Sequence, residues 1–275
     1  MSTTRWIDRP GGRVAYDVTG TGPLVIAVPG MGDVRQEYRH LVPHLVRGGL
    51  RVATTDLRGH GDSDATFTRF GDVETAGDVL ALADELSPGA PVLLAGSSMG
   101  AAAALWAAAE RPERVSALVL LGPFARDART PALARWLMRV ALLRPWGPRA
   151  WVTYHRSLFA GRPPADHADH AARNLAALRR PAHWRAFTET VRQLTHAPVE
   201  ARLGEVRAPA LVVMGGKDPD FPDPAAEAAW LGERLGAEVL VRPVSGHYPH
   251  ADDAAAVGPA VAAFLTRVAG TRVDA

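Results

Sequence analysis

The sequence predicts an α/β protein, a mostly parallel sheet covered on both faces by helices. Three observations carry that expectation. Short apolar runs recur along the chain, at 24–28, 92–95 and 210–214 among others. Runs without polar alternation are typical of strands buried on both faces. Segments of helical spacing separate them. Glycine-containing turns follow several runs directly, and open α/β sheets place their sites at such strand ends.

Taken in order, residues 4–19 alternate apolar and polar around Pro10-Gly11-Gly12, which predicts a β-hairpin at the sheet edge. The run 24–28 is a central strand ending in Pro29-Gly30-Met31-Gly32-Asp33, with a helical pattern through Leu41, Leu45 and Val46 after it. A strand at 51–55 ends in Asp56-Leu57-Arg58-Gly59-His60-Gly61-Asp62-Ser63, and a helix from about 72 to 86 follows. The strand 92–95 then turns through Gly96-Ser97-Ser98-Met99-Gly100 into an alanine-rich helix. Further strands are expected at 117–121, 210–214 and 237–241, and a last helix at 253–268. Between 121 and 210 no strand pattern occurs. That stretch reads as helical pieces broken by Pro131, Pro145, Pro148, Pro163-Pro164, Pro181 and Pro198. It is too long for a bare loop. The expected organisation is a core of residues 1–123 and 206–275 with a helical cap at 124–205.

Composition narrows the function classes. Of 275 residues 47% are hydrophobic, enough for a sizeable core. No run reaches the roughly 18 apolar residues of a membrane span, and Met1-Ser2-Thr3-Thr4-Arg5-Trp6 has no signal-peptide character. The absence of cysteine excludes disulfides, a thiol nucleophile and thiolate metal sites. A cytoplasmic protein is expected; no feature speaks to oligomeric state. Lys217 is the single lysine, so arginine supplies nearly all the positive charge, and a net charge of +2 coexists with a pI near 9.4. The charge is uneven, with 14 arginines against 6 acidic residues in 124–205. The simplest reading is solvated helix faces; attraction of an anionic substrate or an acidic partner is the sharper one. Nucleic acid is not expected, because no binding motif accompanies the charge.

The turn at 96–100 has the pattern Gly-x-Ser-x-Gly of a nucleophile elbow. Ser98 must be lifted clear of the sheet on a strained turn, and side chains at 96 and 100 would collide where strand and helix cross. Two other strand-end loops carry matching chemistry. Lys217-Asp218-Pro219-Asp220 offers an acid, and Gly246-His247-Tyr248-Pro249-His250 offers a base. Nucleophile, acid, histidine is the chain order of the α/β hydrolases. Asp218 could instead cap the next helix, with Asp220 the reserve acid; His247 could be a surface histidine, and His250 reads as a bystander. Two rival motifs fail. Gly30-x-Gly32 has Arg35 where a dinucleotide site needs its third glycine, and Asp218 stands where a phosphate loop needs Ser or Thr. His167 and His170 could hold a metal, but no third ligand is evident, so they are read as a solvated helix face and no metal is assigned.

These motifs together resemble the α/β-hydrolase superfamily, in the branch with a helical cap. That branch includes esterases, lactonases, carbon–carbon bond hydrolases, epoxide hydrolases, haloalkane dehalogenases and perhydrolase-type haloperoxidases. The likeness runs nearly end to end; the insertion alone lacks recognisable motifs. It implies an α/β-hydrolase fold, with Ser98, Asp218 and His247 as catalytic triad and backbone N–H groups of Met31 and Met99 as oxyanion hole. Gly96 and Gly100 are the elbow glycines, and Asp56, Arg58 and His60 are structural. A serine nucleophile argues against the dehalogenase and epoxide-hydrolase chemistries, which use Asp there. One departure is Pro29-Gly30 where relatives commonly have His-Gly, which leaves the bracing of that loop open. The implied function is hydrolysis of a small-molecule ester, lactone or thioester through an acyl-enzyme, without a cofactor. Alternatives are carbon–carbon cleavage or perhydrolysis by the same triad, or a non-catalytic small-molecule receptor. Trp136, Trp146, Trp151, Trp184, Phe159 and Phe187 should mostly pack the insertion, and a few should line a pocket for an apolar acyl or ring part.

Overall fold

The computed structural model describes residues 3–127 and 132–270. Met1, Ser2 and Pro131, which entered the reading above, lie outside the described residues. The apolar runs become strands because a continuous hydrophobic stretch can satisfy its backbone in a sheet while both faces are covered. Every residue is buried in Leu24–Val28 (β3), Val92–Ser97 (β5), Val115–Leu121 (β6) and Ala210–Gly215 (β7). The flanking strands Arg5–Arg9 (β1), Gly12–Thr19 (β2), Arg51–Thr55 (β4) and Glu238–Arg242 (β8) are more exposed, as edges or near-edges should be.

Among the described residues these eight strands form one sheet in the order β1-β2-β4-β3-β5-β6-β7-β8. The expected hairpin pairs β1 with β2, and β2 runs antiparallel to β4; all other neighbours are parallel. Val42–Arg47 (α1), Asp72–Leu86 (α2) and Met99–Glu110 (α3) connect β3, β4, β5 and β6 in turn. Pro224–Leu235 (α9) joins β7 to β8, and Pro249–Asp252 (α10) and Ala254–Gly270 (α11) close the chain. One core packs α2, α3 and α9 on one face of the sheet, and the other packs α1 and α11 on the opposite face. The alanines of α3 serve close approach: residues 101–104 are fully buried against the sheet.

Between β6 and β7 lie Ala132–Ala141 (α4), Gly147–Ser157 (α5), His167–Arg179 (α6), Pro181–Gln193 (α7) and Ala197–Arg202 (α8). Three of the prolines that read as breaks are starts instead. Pro148, Pro181 and Pro198 stand in the first turn of α5, α7 and α8, where the missing N–H has no intrahelical partner to lose. Trp151, Trp184 and Phe187 form a separate small apolar cluster inside this group.

Candidate active site

The elbow has the geometry its sequence demands. Ser98 lies at φ 53, ψ −121, the one non-glycine residue with positive φ among the described residues. Such a conformation costs of order 1–3 kcal/mol and persists only where the surroundings impose it. They do: the Ser98 N–H donates to Leu121 O at 2.9 Å. A Cβ at Gly96 would sit 2.3 Å from Gly100 O, and one at Gly100 would sit 2.2 Å from Val28 O. Both are backbone contacts that cannot yield. Met99 is the first residue of α3, so its N–H belongs to those a helix leaves without an intrahelical partner.

The turn after β3 runs alongside. Asp33 N–H donates to Gly30 O at 3.2 Å, and Gly32 has φ 81, the positive value a type II turn requires at its third residue. A Cβ on Gly30 would meet the Cβ of Ser98 at 3.1 Å, so this turn and the elbow are in contact. The brace left open by Pro29 is Glu37, whose Oε2 accepts the Gly30 N–H at 2.9 Å. Tyr38 helps by donating its hydroxyl to Val28 O (2.7 Å) and lying 3.0 Å from Ala95 O, bridging β3 and β5.

His247 comes from the loop after β8 and is buried; its Nδ1 lies 2.7 Å from Asp218 Oδ2. Its backbone N–H donates to Leu158 O at 2.8 Å. Gly122 at the end of β6 makes room for it: a Cβ there would lie 2.5 Å from His247 O. Asp218 Oδ1 accepts the Asp220 N–H at 3.0 Å, so both carboxylate oxygens are engaged. Asp223, not Asp218, caps α9, accepting from Ala226 N–H. Asp220 Oδ2 stands 3.9 Å from the imidazole, and its other oxygen accepts the Tyr154 hydroxyl. Burial pulls the His247 pKa down, but the Asp218 charge and hydrogen bond, aided by Asp220, outweigh it and raise it to about 9.

Ser98, Met31, Met99, His247 and Asp220 share a cavity of about 1030 Å³. The rest of its wall is mainly apolar and comes from the helices between β6 and β7, including Met138, Leu142, Trp151, Trp184 and Val191. Its polar lining includes Asp127, Glu189, Arg192 and His196. His196 is itself held by Asp72, at 2.7 Å from Nδ1.

The remaining residues singled out in the sequence fall as follows. Arg58 pairs with Asp78 at 2.6 Å, and Asp56 takes a short ion pair with Arg35. His60 is buried against Arg58 O, and burial lowers its pKa to about 4. None of the three faces the cavity. His250, read as a bystander, is fully buried, its Nε2 3.1 Å from Glu37 Oε1, and it does not line the cavity. The solvated-face reading of His170 is corrected. Its Nε2 lies 2.7 Å from Asp33 Oδ1, and His155 Nε2 lies 2.8 Å from Asp33 Oδ2. His167 is apart, packed on the Phe159 ring. The cluster escaped notice because its members are 122 and 137 residues apart in the chain.

The family described as serine aminopeptidase, S33, matches residues 21–262, most of the chain. The chain belongs to this family of α/β hydrolases. The hydrolase is 31% identical over 243 residues to a pimeloyl-acyl-carrier-protein methyl ester esterase of Neisseria meningitidis, covering 85% of this chain and 90% of that one. A 104-residue stretch is 36% identical to epoxide hydrolase 3 of Siraitia grosvenorii, covering 37% of this chain and only 33% of that protein. In fold, the hydrolase is similar to an esterase from Exiguobacterium antarcticum, with a TM-score of 0.80 at 20% identity, covering 96% of this chain and 99% of that one. It is therefore an α/β-hydrolase-fold enzyme, similar to carboxylic ester hydrolases. Among the described residues no helix is long and apolar enough to cross a membrane.

Proposed function

We propose that the enzyme hydrolyses a small-molecule ester, lactone or thioester through an acyl-enzyme on Ser98, with His247 as base and Asp218 as its orienting acid. The observation that carries this reading is the buried His247–Asp218 pair, 2.7 Å apart, opening into the cavity that also holds strained Ser98. Ser98 Oγ attacks the carbonyl carbon while its proton passes to His247 Nε2. The carbonyl oxygen becomes the oxyanion, held by the Met31 and Met99 N–H groups. Collapse expels the alcohol or thiol, which takes the proton back from His247. Water, deprotonated by the same imidazole, then attacks the acyl-serine and frees the acid and Ser98. Asp218 fixes Nδ1 as the protonated nitrogen and balances the charge on the imidazolium.

Residues 124–205 serve in this account as a cap. They supply the apolar wall of the cavity, which suits an acyl chain or ring. The methyl ester esterase likeness supports an ester of an acyl chain as the first substrate class to try. The test is a series of acyl esters of increasing chain length, run with the native enzyme and Ser98→Ala. Hydrolysis with the native enzyme should fall by several orders of magnitude in kcat in the variant, because the three residues act as a unit. No turnover of any ester by the native enzyme would favour a binding protein on this fold instead.

A further inference from the structure

The buried cluster around Asp33 lies outside the triad, yet it is built on the turn that carries Met31. Oδ1 of Asp33 takes His170 Nε2 at 2.7 Å, Asn174 Nδ2 at 3.1 Å and the Val34 N–H at 2.7 Å; Oδ2 takes His155 Nε2 at 2.8 Å. His155 is on α5, and His170 and Asn174 are on α6. All four side chains are at most 2% exposed. A second contact joins the same partners. A Cβ on Gly32 would lie 2.1 Å from Trp151 Nε1, so the indole of α5 rests on the backbone of the turn. The turn is thus held at Gly30 by Glu37 from the core, and at Gly32 and Asp33 by two helices of the insertion.

Resting on the proposed acyl-enzyme reading, we infer that Asp33 is a positioning residue: through His155 and His170 it locks α5 and α6 to the turn and so sets the direction of the Met31 N–H. An ionised carboxylate only accepts hydrogen bonds, so each Nε2 carries a proton and donates it. Burial pushes the Asp33 carboxyl up, but the flanking His170 and His155 outweigh this and hold it well below the usual range. The charge therefore persists at neutral pH, and the two donors have a strong acceptor to close on. The catalytic leverage lies in the short path: Asp33 stands two residues after Met31 in the same turn. A misplacement of about 1 Å in a reacting group can lower a rate about 10²-fold. Seating of α5, whose Trp151 and Tyr154 line the cavity, and of α6 packed against it then becomes a condition for an aimed oxyanion donor.

A metal is the competing use of two imidazoles and a carboxylate whose ligand atoms lie within 4.8 Å of one another. Metal ligation would strip the proton from each Nε2 and place it on Nδ1. Among the described residues neither His155 Nδ1 nor His170 Nδ1 has a hydrogen-bond partner, and both are buried. Ligating histidines almost always donate that second N–H to an acceptor.

The experiment uses the full chain, an ester substrate and a trifluoromethyl ketone that mimics the tetrahedral intermediate. Asp33→Asn should lower kcat about 10- to 100-fold with KM changed less than about twofold, and weaken the ketone by the same factor as kcat/KM. His155→Gln and His170→Gln place an amide N–H near the lost Nε2–H and should retain activity within about threefold, whereas the two alanine variants should not. Should Asp33→Asn fail to fold, the Gln-against-Ala contrast at His155 and His170 still decides. Variants that melt earlier but keep kcat and ketone affinity would reduce the cluster to a structural role and overturn the inference. Stoichiometric zinc in the purified protein, with the Gln variants as inactive as the Ala ones, would overturn it in favour of a metal site. Ser98→Ala run in parallel separates the two levels: if it stays active the acyl-enzyme reading itself has failed, whatever Asp33 does.

Discussion

The strand-end loops and the helices between β6 and β7 face one cavity but are built under different constraints. At the elbow, backbone meets backbone: Gly96 and Gly100 are imposed by contacts of 2.3 and 2.2 Å that no rotamer change relieves. The insertion meets the cavity with apolar residues such as Leu142, Trp184 and Val191, and other apolar side chains could serve there. Its first helix, α4, even leaves Leu133, Trp136 and Leu137 at 67%, 58% and 53% exposure, while the central strands are wholly buried. In the proposed mechanism the chemistry sits on the over-determined part, and selectivity would rest on the part that sequence changes can remodel.

The sharpest break of that comparison is at the acid. Asp218→Asn should leave the fold intact and lower kcat roughly 10⁴-fold, the loss that follows when the imidazole is held in the wrong tautomer. Asp220→Asn should change kcat less than about tenfold, since Asp220 lies 3.9 Å from the ring and is occupied by Tyr154. An exchange of these two outcomes in steady-state assays would move the acid to Asp220. The same variants report on pH. With His247 raised to about 9, kcat/KM should climb with pH as the imidazole loses its proton. The pair's stabilisation has the opposite trend: it is fully present below about 6.5, the unfolded value, and is lost as pH passes about 9. Tm should therefore decline over the window in which rate rises, and residual activity of Asp218→Asn should titrate at lower pH than the native enzyme.

The next effect is on stability. Gly100→Ala puts a methyl group against Val28 O and should destabilise the enzyme by about 3 kcal/mol, at the upper end of ordinary overpacking. A Gly204→Ala control, with nothing within 4 Å of its Cβ, should stay within about 1 kcal/mol. Equal urea midpoints for the two would mean that the elbow is less constrained than its geometry requires.

The smallest effect concerns the arginines of the insertion. Several are spent on the core: Arg180 and Arg185 donate to the backbone of Gly61 and Ala65, Arg126 pairs with Glu227, and Arg202 with Glu110. Across the boundary, Arg39 of the core takes Asp166 at 2.7 Å. Charges so engaged should not steer substrate. Raising salt from 0.01 to 1 M, which shortens the Debye length from about 30 to about 3 Å, should change kcat/KM of an anionic and a neutral ester alike, within about twofold. A tenfold fall confined to the anionic ester would show steering.

Much of the core was legible because its constraints are local. The apolar runs marked strands to within one or two residues, and the elbow and the Asp218 and His247 loops each announce themselves within a few positions. What was illegible is what distant residues do to each other. Glu37 bracing Gly30 has no motif. The prolines at 148, 181 and 198 signal a helix start as readily as a stop. His170 on an amphipathic helix reads as solvated until Asp33, from a loop 137 residues earlier, is set against it. The structure also brought Tyr154 to Asp220 and His196 to Asp72, pairs that spacing could not suggest.

The central claim is that the strained serine at the elbow is the nucleophile, and covalent labelling addresses it without needing the substrate. A fluorophosphonate incubated with the native enzyme should add one phosphonyl group by intact mass, mapped by peptide sequencing to Ser98, with none added to Ser98→Ala or after denaturation. A label on Ser97, full labelling of Ser98→Ala, or no label on the folded native enzyme would contradict the account.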